Sequence, residues 1–364
     1  MTRFDAAPIL AGLKDFQRAT VEHVVDRFYG DSPTKRFLVA DETGLGKSVV
    51  ARGVVARVIE RLQDDRSVDR IDIVYVCSNF DIARQNLKRL DVTGGSATVS
   101  TTRLTLLARD ARTFEGAADV AATPVNVIAF TPGTSFSSGW ATGHAEERAL
   151  LFVMLADALQ LGRQQKNYAV TLLRATATRK GFEGAIANTE RILDGPPDRG
   201  ISTAFAREVQ QRDLDARFLG LLQLLIDQRA KDVSDTLWPE VRRLISDLRQ
   251  CLARASVERL EPDLVIFDEF QRFRHLMDPE QGGESAELAE ALYDHRDARL
   301  LLLSATPYKP FTRVEESAGG EDHYKDFRQT LQFLSQDEAW DSDVEQALGD
   351  YRRQLIVDEA DAGA

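Results

Sequence analysis

Short apolar runs that stop abruptly at small or polar residues recur towards both ends of the chain. Such runs are typical of buried parallel strands, which are continuously hydrophobic. Five of them are Arg36–Ala40, Ile73–Cys77, Val127–Phe130, Leu264–Phe267 and Leu300–Leu303. An apolar segment that is poor in glycine and proline, Val49–Leu62, follows the first run and predicts a helix. The order around residue 45 is therefore strand, loop, helix.

Between residues 137 and 257 the pattern changes to apolar positions at helical spacing. These include Leu151, Met154, Leu155, Leu159, Phe218, Leu219, Leu222, Leu225, Leu237, Val241, Leu244 and Leu248. The Gly- and Pro-rich stretch Gly195–Gly200 predicts a surface turn or loop within this segment. We expect residues 137–257 to form a large α-helical insertion, carried by an α/β domain made of residues 1–136 and 258–335.

The loop after the first run has the sequence Asp41-Glu42-Thr43-Gly44-Leu45-Gly46-Lys47-Ser48. Glycines let backbone N–H groups turn towards phosphate oxygens, and a helix N-terminus adds partial positive charge. A lysine here reaches the β- and γ-phosphates of a nucleotide, and the next hydroxyl binds Mg²⁺. The predicted nucleotide-binding residues are Thr43, Gly44, Leu45, Gly46, Lys47 and Ser48. Asp41 stands where the general pattern has its first glycine.

Two carboxylates, Asp268 and Glu269, end the run Leu264–Phe267. Ligand-binding residues lie at the C-terminal ends of parallel strands. An aspartate in this position holds Mg²⁺ through its water shell, so Ser48 and Asp268 are the predicted metal-binding residues. Glu269 would orient or deprotonate the attacking water as a general base. The alternative is a strand that ends in two solvated acids.

A third site, Ser304-Ala305-Thr306-Pro307, ends the run Leu300–Leu303. At this point the chain resembles the superfamily 2 helicases and translocases, and within them the SNF2-like branch. Asp41–Ser48 is similar to motif I of that branch, where aspartate is the expected first residue. Asp268–Gln271 is similar to motif II in a DExQ form, and Ser304–Thr306 is similar to motif III.

Three further segments fit the same resemblance. Leu13–Gln17 is similar to the Q-motif, in which Gln17 would recognise the adenine edge. Ile73–Asn79, followed by Ile82–Asn86, stands where motif Ia is expected, and Val127–Phe136 stands where motif Ib is expected. The resemblance implies a set of residues that contact nucleic acid or couple it to the nucleotide: Ser78, Asn79, Thr131, Gly133, Thr134, Ser304, Ala305 and Thr306.

The resemblance implies a RecA-like P-loop NTPase lobe with a doubly wound, mainly parallel sheet and ATP and Mg²⁺ as cofactors. It implies catalytic roles for Lys47, Asp268, Glu269 and Gln271. It covers about residues 13–334 and accounts for one lobe only. The acidic segment 336–364 is expected to lead towards a second RecA-like lobe. We expect that lobe in cis, if the chain is a fragment of a longer motor, or in trans from another chain.

Composition and charge exclude few classes of function. No apolar run approaches the roughly 18 residues that a membrane span needs, and the N-terminus has no signal-peptide pattern. We therefore expect a cytoplasmic protein with no membrane partner. Two cysteines, Cys77 and Cys251, give no disulfide framework or metal-ligand cluster. The net charge of −12 concerns solubility more than any local contact. Basic residues predominate between Leu161 and Leu193, which favours a solvated helical face over a nucleic-acid contact.

Two functions of different classes remain open. One is a motor ATPase of SNF2 type, a helicase or translocase that hydrolyses ATP and tracks along double-stranded DNA. The other is a nucleotide-gated nucleic-acid-binding subunit with little hydrolysis of its own. RNA in place of DNA is a further alternative. A P-loop NTPase outside the helicases would explain the phosphate and metal sites but not Gln17 or Ser304–Thr306.

Overall fold

A parallel β-sheet forms the centre of the protein. The structure, a computed structural model, describes residues 3–40, 46–95, 98–101, 103–110, 123–132, 142–277, 279–304, 323–335 and 346. Within these residues six strands pair in the order β1-β6-β5-β2-β4-β3, and every neighbouring pair is parallel. The strands are β1 Arg36–Ala40, β2 Ile71–Val76, β3 Thr98–Thr101, β4 Val125–Phe130, β5 Pro262–Asp268 and β6 Arg299–Ser304. The expected parallel α/β sheet is confirmed.

Helices cover both faces of this sheet. They are α1 Ala7–Ala11, α2 Asp15–Tyr29, α3 Lys47–Leu62, α4 Phe80–Leu90, α5 Leu107–Asp110, α6 Ala145–Ala158, α7 Arg163–Leu173, α8 Arg179–Leu193, α9 Arg199–Gln211, α10 Leu214–Asp227, α11 Trp238–Arg259, α12 Pro279–Tyr293 and α13 His323–Ser335. Successive strand residues point to opposite faces. Ile73 and Tyr75 of β2 accordingly pack with α1–α4, whereas Val74 and Val76 pack with α6–α12.

The strand register brings the predicted site residues to one edge of the sheet. Ala40, the last residue of β1, lies opposite Ser304, the last residue of β6. Asp268 at the end of β5 lies opposite Leu303, one residue earlier in β6. Val76 at the end of β2 lies opposite Phe130 at the end of β4. The predicted site segments that follow these strands therefore lie at the carboxyl edge, where ligands bind in such sheets.

The segment between β4 and β5 is helical in its described part. Helices α6–α11 share one hydrophobic core with a face of the sheet, and α11 runs directly into β5. The division at residues 137 and 257 stays a prediction, because nothing here tests it and residues 133–141 lie outside the described residues. The predicted surface turn is partly wrong: α9 already begins at Arg199, and Pro197 and Asp198 are buried. The Asp198 side chain caps α9 by accepting a hydrogen bond from Ile201 N at 2.9 Å.

A buried carboxylate joins α6 and α11 to the residues just before α5. Glu147 of α6 is fully buried. Its carboxylate accepts hydrogen bonds from the Thr105 hydroxyl at 2.6 Å and from His144 N at 2.7 Å. Ion pairs link it to Arg249 of α11 at 2.9 Å and to Arg103 at 3.1 Å. Burial would raise the pKa of Glu147, but Arg249 and these hydrogen bonds outweigh that effect and lower it.

The last described helix, α13, is held against the sheet by Arg36 at the start of β1. The Arg36 guanidinium donates to the Phe333 carbonyl oxygen at 2.6 Å and pairs with Asp294 at 2.6 Å. Its central carbon lies 4.0 Å from the centre of the Phe333 ring. Arg36 therefore joins the end of α13 to the start of β1.

Two aspartates meet at the opposite, amino edge of the sheet. Asp72 of β2 accepts hydrogen bonds from Arg70 at 2.6 Å and from the Asn126 side chain at 2.8 Å. Asp263 of β5 accepts a hydrogen bond from Asp72 N at 2.8 Å. Burial raises the pKa of Asp263 to about 7, against a usual value of 3.8, and the nearby Asp72 charge adds to this effect. Asp263 therefore retains its proton to a higher pH than an ordinary aspartate does.

We expect the stability of the protein to fall as pH rises from about 4 to about 7. In that window the folded state retains a proton on Asp263 that the unfolded chain has lost, so the free energy of unfolding decreases with pH. Asp263→Asn keeps an oxygen for Asp72 N and cannot ionise. Relative to wild type, the variant should gain on the order of 2 kcal/mol between pH 5 and pH 8 in urea denaturation. Asp235→Asn, at an exposed position, is the control; parallel pH profiles for wild type and Asp263→Asn would contradict the assignment.

Candidate nucleotide site at the carboxyl edge of the sheet

The end of the predicted phosphate-binding loop lies at the N-terminus of α3. Residues 41–45, which include Thr43, Gly44 and Leu45, lie outside the described residues, whereas Gly46, Lys47 and Ser48 are described. Gly46 precedes the first helical residue and has φ of 94°, in the left-handed region that favours glycine. Helix α3 begins at Lys47, so its N-terminus presents backbone N–H groups and a partial positive charge at the end of this loop. An anion bound at this position would accept hydrogen bonds from these N–H groups.

Gln17 lies against this loop although 29 positions separate it from Gly46. A Cβ atom on Gly46 would stand 2.6 Å from the Gln17 side-chain nitrogen, so only glycine fits there without a shift. Gln17 is 7% exposed, and its side-chain oxygen accepts a hydrogen bond from Lys14 N at 3.1 Å. The glutamine of the predicted Q-motif and the last glycine of the predicted phosphate-binding loop are therefore in contact.

Ser48 and Asp268 face the same small cleft. The cleft lies between α3, α4 and the ends of β2, β5 and β6, and its lining is Ser48, Ala51, Tyr75, Asn86, Arg89, Leu90, Asp268 and Leu303. The two residues predicted to bind Mg²⁺ are thus brought together from positions 220 residues apart in the chain. This meeting depends on β6 lying between β1 and β5, which aligns both loops at one edge.

The donor set of the cleft fits Mg²⁺. A hydroxyl and a carboxylate are hard oxygen donors, and Mg²⁺ is usually held by one or two such protein groups together with water and substrate phosphates. Within the described residues no group of three or more His, Cys, Asp or Glu side chains forms a metal cage. Ser48 and Asp268 would therefore supply the protein ligands, directly or through water, and the phosphates would supply the rest.

Glu269, the predicted general base, has a strained backbone. Its φ of 56° lies in the left-handed region, which non-glycine residues adopt at a cost of about 1 kcal/mol or more. It stands between the end of β5 and a 3₁₀ helix, Phe270–Leu276, and its side chain is partly exposed. This conformation ends β5 and turns the chain into the 3₁₀ helix directly after Asp268.

Gln271 connects the ends of β5 and β6. Its side-chain nitrogen donates a hydrogen bond to the Ser304 hydroxyl, and Ser304 is fully buried. The Gln271 side-chain oxygen is buried and has no hydrogen-bond partner in the described part of the chain. The segments predicted to be motif II and motif III are therefore in direct contact through these two side chains. Ala305 and Thr306 lie outside the described residues.

Only some of the residues predicted to contact nucleic acid lie within the described residues. Ser78 and Asn79 are exposed at the carboxyl edge, and the Asn79 side chain caps α4 by accepting from Asp81 N at 2.7 Å. Thr131 is buried, with 5% exposure, and presents little surface of its own. Gly133 and Thr134 lie outside the described residues. Their contacts with nucleic acid stay predictions.

Sequence reasoning missed three residues near the site. Tyr75 is 2% exposed, and its hydroxyl donates a hydrogen bond to Asp268; burial, then the Asp268 charge, raises the pKa of Tyr75. The Asn86 side chain donates to the Tyr75 oxygen at 2.7 Å. Arg272 is exposed and donates to the Ser78 hydroxyl at 3.5 Å. A tyrosine within an otherwise apolar strand was the available signal for Tyr75, because a buried phenol needs a partner.

Comparison with protein-family models, curated proteins and solved structures finds no match for this chain. None of the helices in the described residues has the length and apolar character that crossing a membrane requires.

Proposed function

We propose that this chain is a RecA-like ATP-binding lobe of an SNF2-type nucleic-acid translocase, which binds Mg-ATP and tracks along duplex DNA. The observation that carries the proposal is the convergence of Ser48 and Asp268 in one cleft at the carboxyl edge of the sheet. The contacts of Gln17 with Gly46 and of Gln271 with Ser304 support it, because each pair joins two separate motifs. Four motifs that meet at one edge are harder to explain by chance than any single one.

Each residue of the site has a distinct role in this proposal. Lys47 contributes positive charge to the β- and γ-phosphates, and the N-terminus of α3 adds N–H donors. Ser48 and Asp268 hold Mg²⁺, which neutralises charge on the transferred phosphoryl group. Glu269 orients or deprotonates the attacking water. Gln17 holds the adenine edge beside the loop.

Gln271 provides a physical route between nucleotide and nucleic acid. A buried amide oxygen without a partner costs about 1–3 kcal/mol, and a water molecule or group brought in with the nucleotide would remove that cost. Any movement of Gln271 acts on Ser304, because the two side chains are hydrogen-bonded. Nucleotide binding would in this way alter the end of β6, from which the motif III segment continues.

The nucleic-acid contact is proposed at the exposed end of β2. Ser78 and Asn79 present a hydroxyl and the N-terminus of α4, which suit phosphate oxygens and give little sequence preference. Arg272 adds positive charge beside Ser78 and forms no ion pair with any other described residue. A second RecA-like lobe, in cis or in trans, would close over this edge and bring the arginine finger that raises hydrolysis by about 10³–10⁵ in related enzymes.

We expect Arg272→Glu to weaken duplex DNA binding uniformly across sequences and to reduce the salt-dependence slope by about 1, because one phosphate contact is lost. ATP binding without DNA should stay unchanged. The measurements are fluorescence anisotropy with duplex DNA, single-stranded DNA and duplex RNA at several salt concentrations, and ATP hydrolysis with each of them.

The matched control lies on the helical segment. Arg163 and Lys166 line an open groove between α6, α7 and α8, far along the chain from the motifs. If Arg163→Glu with Lys166→Glu weakens DNA binding and Arg272→Glu does not, the track lies on the insertion and the proposed contact face is wrong. If duplex RNA binds more tightly than either form of DNA, RNA replaces DNA as the proposed track. Binding of ATP and DNA with no stimulated hydrolysis, even with a second lobe supplied, would favour the nucleotide-gated binding subunit.

A further inference from the structure

The carboxylate of Asp268 is held by a short chain of side chains from three different elements. Tyr75 comes from β2, Asn86 from α4 and Asp268 from the end of β5. Tyr75 and Asn86 both line the cleft that contains Ser48. Both lie in the segments that stand where motif Ia is expected, but the sequence analysis gave neither of them a role.

The direction of these hydrogen bonds is determined by their donors and acceptors. A phenol has one proton to donate. Asn86 donates to the Tyr75 oxygen at 2.7 Å, so the Tyr75 oxygen acts there as an acceptor. The single Tyr75 proton is thereby directed to Asp268 Oδ2. Asn86 also lies 3.5 Å from the same carboxylate oxygen.

The two oxygens of Asp268 are consequently not equivalent. Oδ2 accepts from Tyr75 and lies near Asn86, whereas Oδ1 accepts no hydrogen bond from any described residue. A carboxylate that is held by one oxygen cannot rotate freely, and its second oxygen is left for another partner. In metal sites, hydrogen bonds of this kind orient the ligand, and their loss typically weakens metal affinity or activity 10–100-fold.

We propose that Tyr75 and Asn86 are positioning residues that fix the Asp268 carboxylate, so that Oδ1 faces the Mg²⁺ of a bound Mg-nucleotide or its water shell. This inference rests on the proposed nucleotide site and adds two residues to it. The burial of Tyr75 makes the arrangement rigid, because a ring with 2% exposure is packed on all sides and cannot leave the cleft without disrupting the core.

The test measures Mg²⁺ dependence rather than hydrolysis. A fluorescent ATP analogue is titrated against the full chain in EDTA and then at increasing Mg²⁺. For Tyr75→Phe, which keeps the ring and removes the hydroxyl, the Mg²⁺ concentration at half-maximal binding should rise about ten-fold. Binding in EDTA and the thermal unfolding midpoint should match wild type. Asn86→Leu should shift the Mg²⁺ dependence in the same direction, and it provides a second variant if Tyr75→Phe does not fold.

Tyr168→Phe, a partly buried tyrosine on α7, is the matched control and should behave as wild type. Unchanged Mg²⁺ dependence in both Tyr75→Phe and Asn86→Leu would overturn the positioning role while leaving the proposed function intact. A loss of binding that is equal in EDTA and in Mg²⁺ would also overturn it, because that result indicates structural damage. If wild type shows no Mg²⁺-dependent nucleotide binding, the proposed function fails, and this inference fails with it.

Discussion

Glu269→Gln is expected to retain ATP binding and to lose about 10²–10⁴-fold in the rate of hydrolysis. A glutamine has nearly the same shape as glutamate but cannot accept the proton of the attacking water, and general bases contribute factors of this size. The effect concerns the reaction and not the ground state, so the affinity for Mg-ATP should stay within about two-fold of wild type. Single-turnover hydrolysis and equilibrium binding, measured with a second lobe present, separate the two quantities.

Lys47→Ala is expected to give the opposite result, a loss of binding. The lysine contributes a charge-assisted hydrogen bond to bound phosphates, which corresponds to about 1.5–3 kcal/mol, or roughly 10–100-fold in affinity. Lys231→Ala, an exposed lysine on the helical segment, is the control for loss of charge. Glu261→Gln, at the amino end of the same strand β5, is the control for Glu269→Gln.

The two variants should lose different properties, because Lys47 is assigned to ATP binding and Glu269 to hydrolysis. Equal ATP affinity for wild type and Lys47→Ala would contradict the phosphate-loop assignment. If Glu269→Gln hydrolyses ATP at the wild-type rate, Glu269 is not the general base. The proposed metal-binding role of Asp268 would be unaffected by that result. Loss of binding in both variants would indicate that Glu269 acts on the bound nucleotide or on local structure rather than on water.

Glu147→Ala is expected to reduce the free energy of unfolding by about 3–5 kcal/mol. The substitution removes the carboxylate that pairs with the buried guanidinium of Arg249, and breaking a buried ion pair from one side has a cost of this size. It also removes the acceptor of the Thr105 hydroxyl. Urea denaturation at pH 7 measures the loss, and Glu147→Gln should lose less because it keeps the shape and one acceptor oxygen.

The pH dependence of this effect has a definite sign. The folded-state pKa of Glu147 is lowered below its usual value of 4.5, so the unfolded chain binds more protons as pH falls below that value. The stabilisation by Glu147 is fully present above pH 4.5 and is lost as pH falls through the lowered pKa. The difference between wild type and Glu147→Gln should therefore shrink in acid. Glu146→Ala, which removes a neighbouring carboxylate that is 56% exposed, should change stability by less than about 1 kcal/mol. A similar loss for both alanine variants would contradict a special role for Glu147.

The central strands and the start of α3 were predictable because their residues carry the signal locally. A strand buried on both faces needs an almost unbroken apolar run, and β5 and β6 have one. The bounds were less accurate. Strand β2 begins at Ile71 and includes the buried residue Asp72, whereas the predicted apolar run began only after this aspartate. Hydrogen bonds from Arg70 and Asn126 make the burial of the Asp72 carboxylate possible. Strand β3, Thr98–Thr101, is at the sheet edge and has no apolar run, so the pattern did not predict it.

The sequence gives the order of the motifs along the chain and the chemical type of each side chain. From these two properties Lys47, Ser48 and Asp268 were predicted to belong to one site. Which residues lie beside them depends on strand order and register. Tyr75 and Asp268 are 193 positions apart and meet because β2 and β5 are neighbours in register. Glu147 and Arg249 are 102 positions apart and meet because α6 and α11 pack together. A hydrophobic or polar pattern reports the burial that a residue requires but not its partner, since a hydrogen bond or an ion pair is formed in space and depends on the position of both groups.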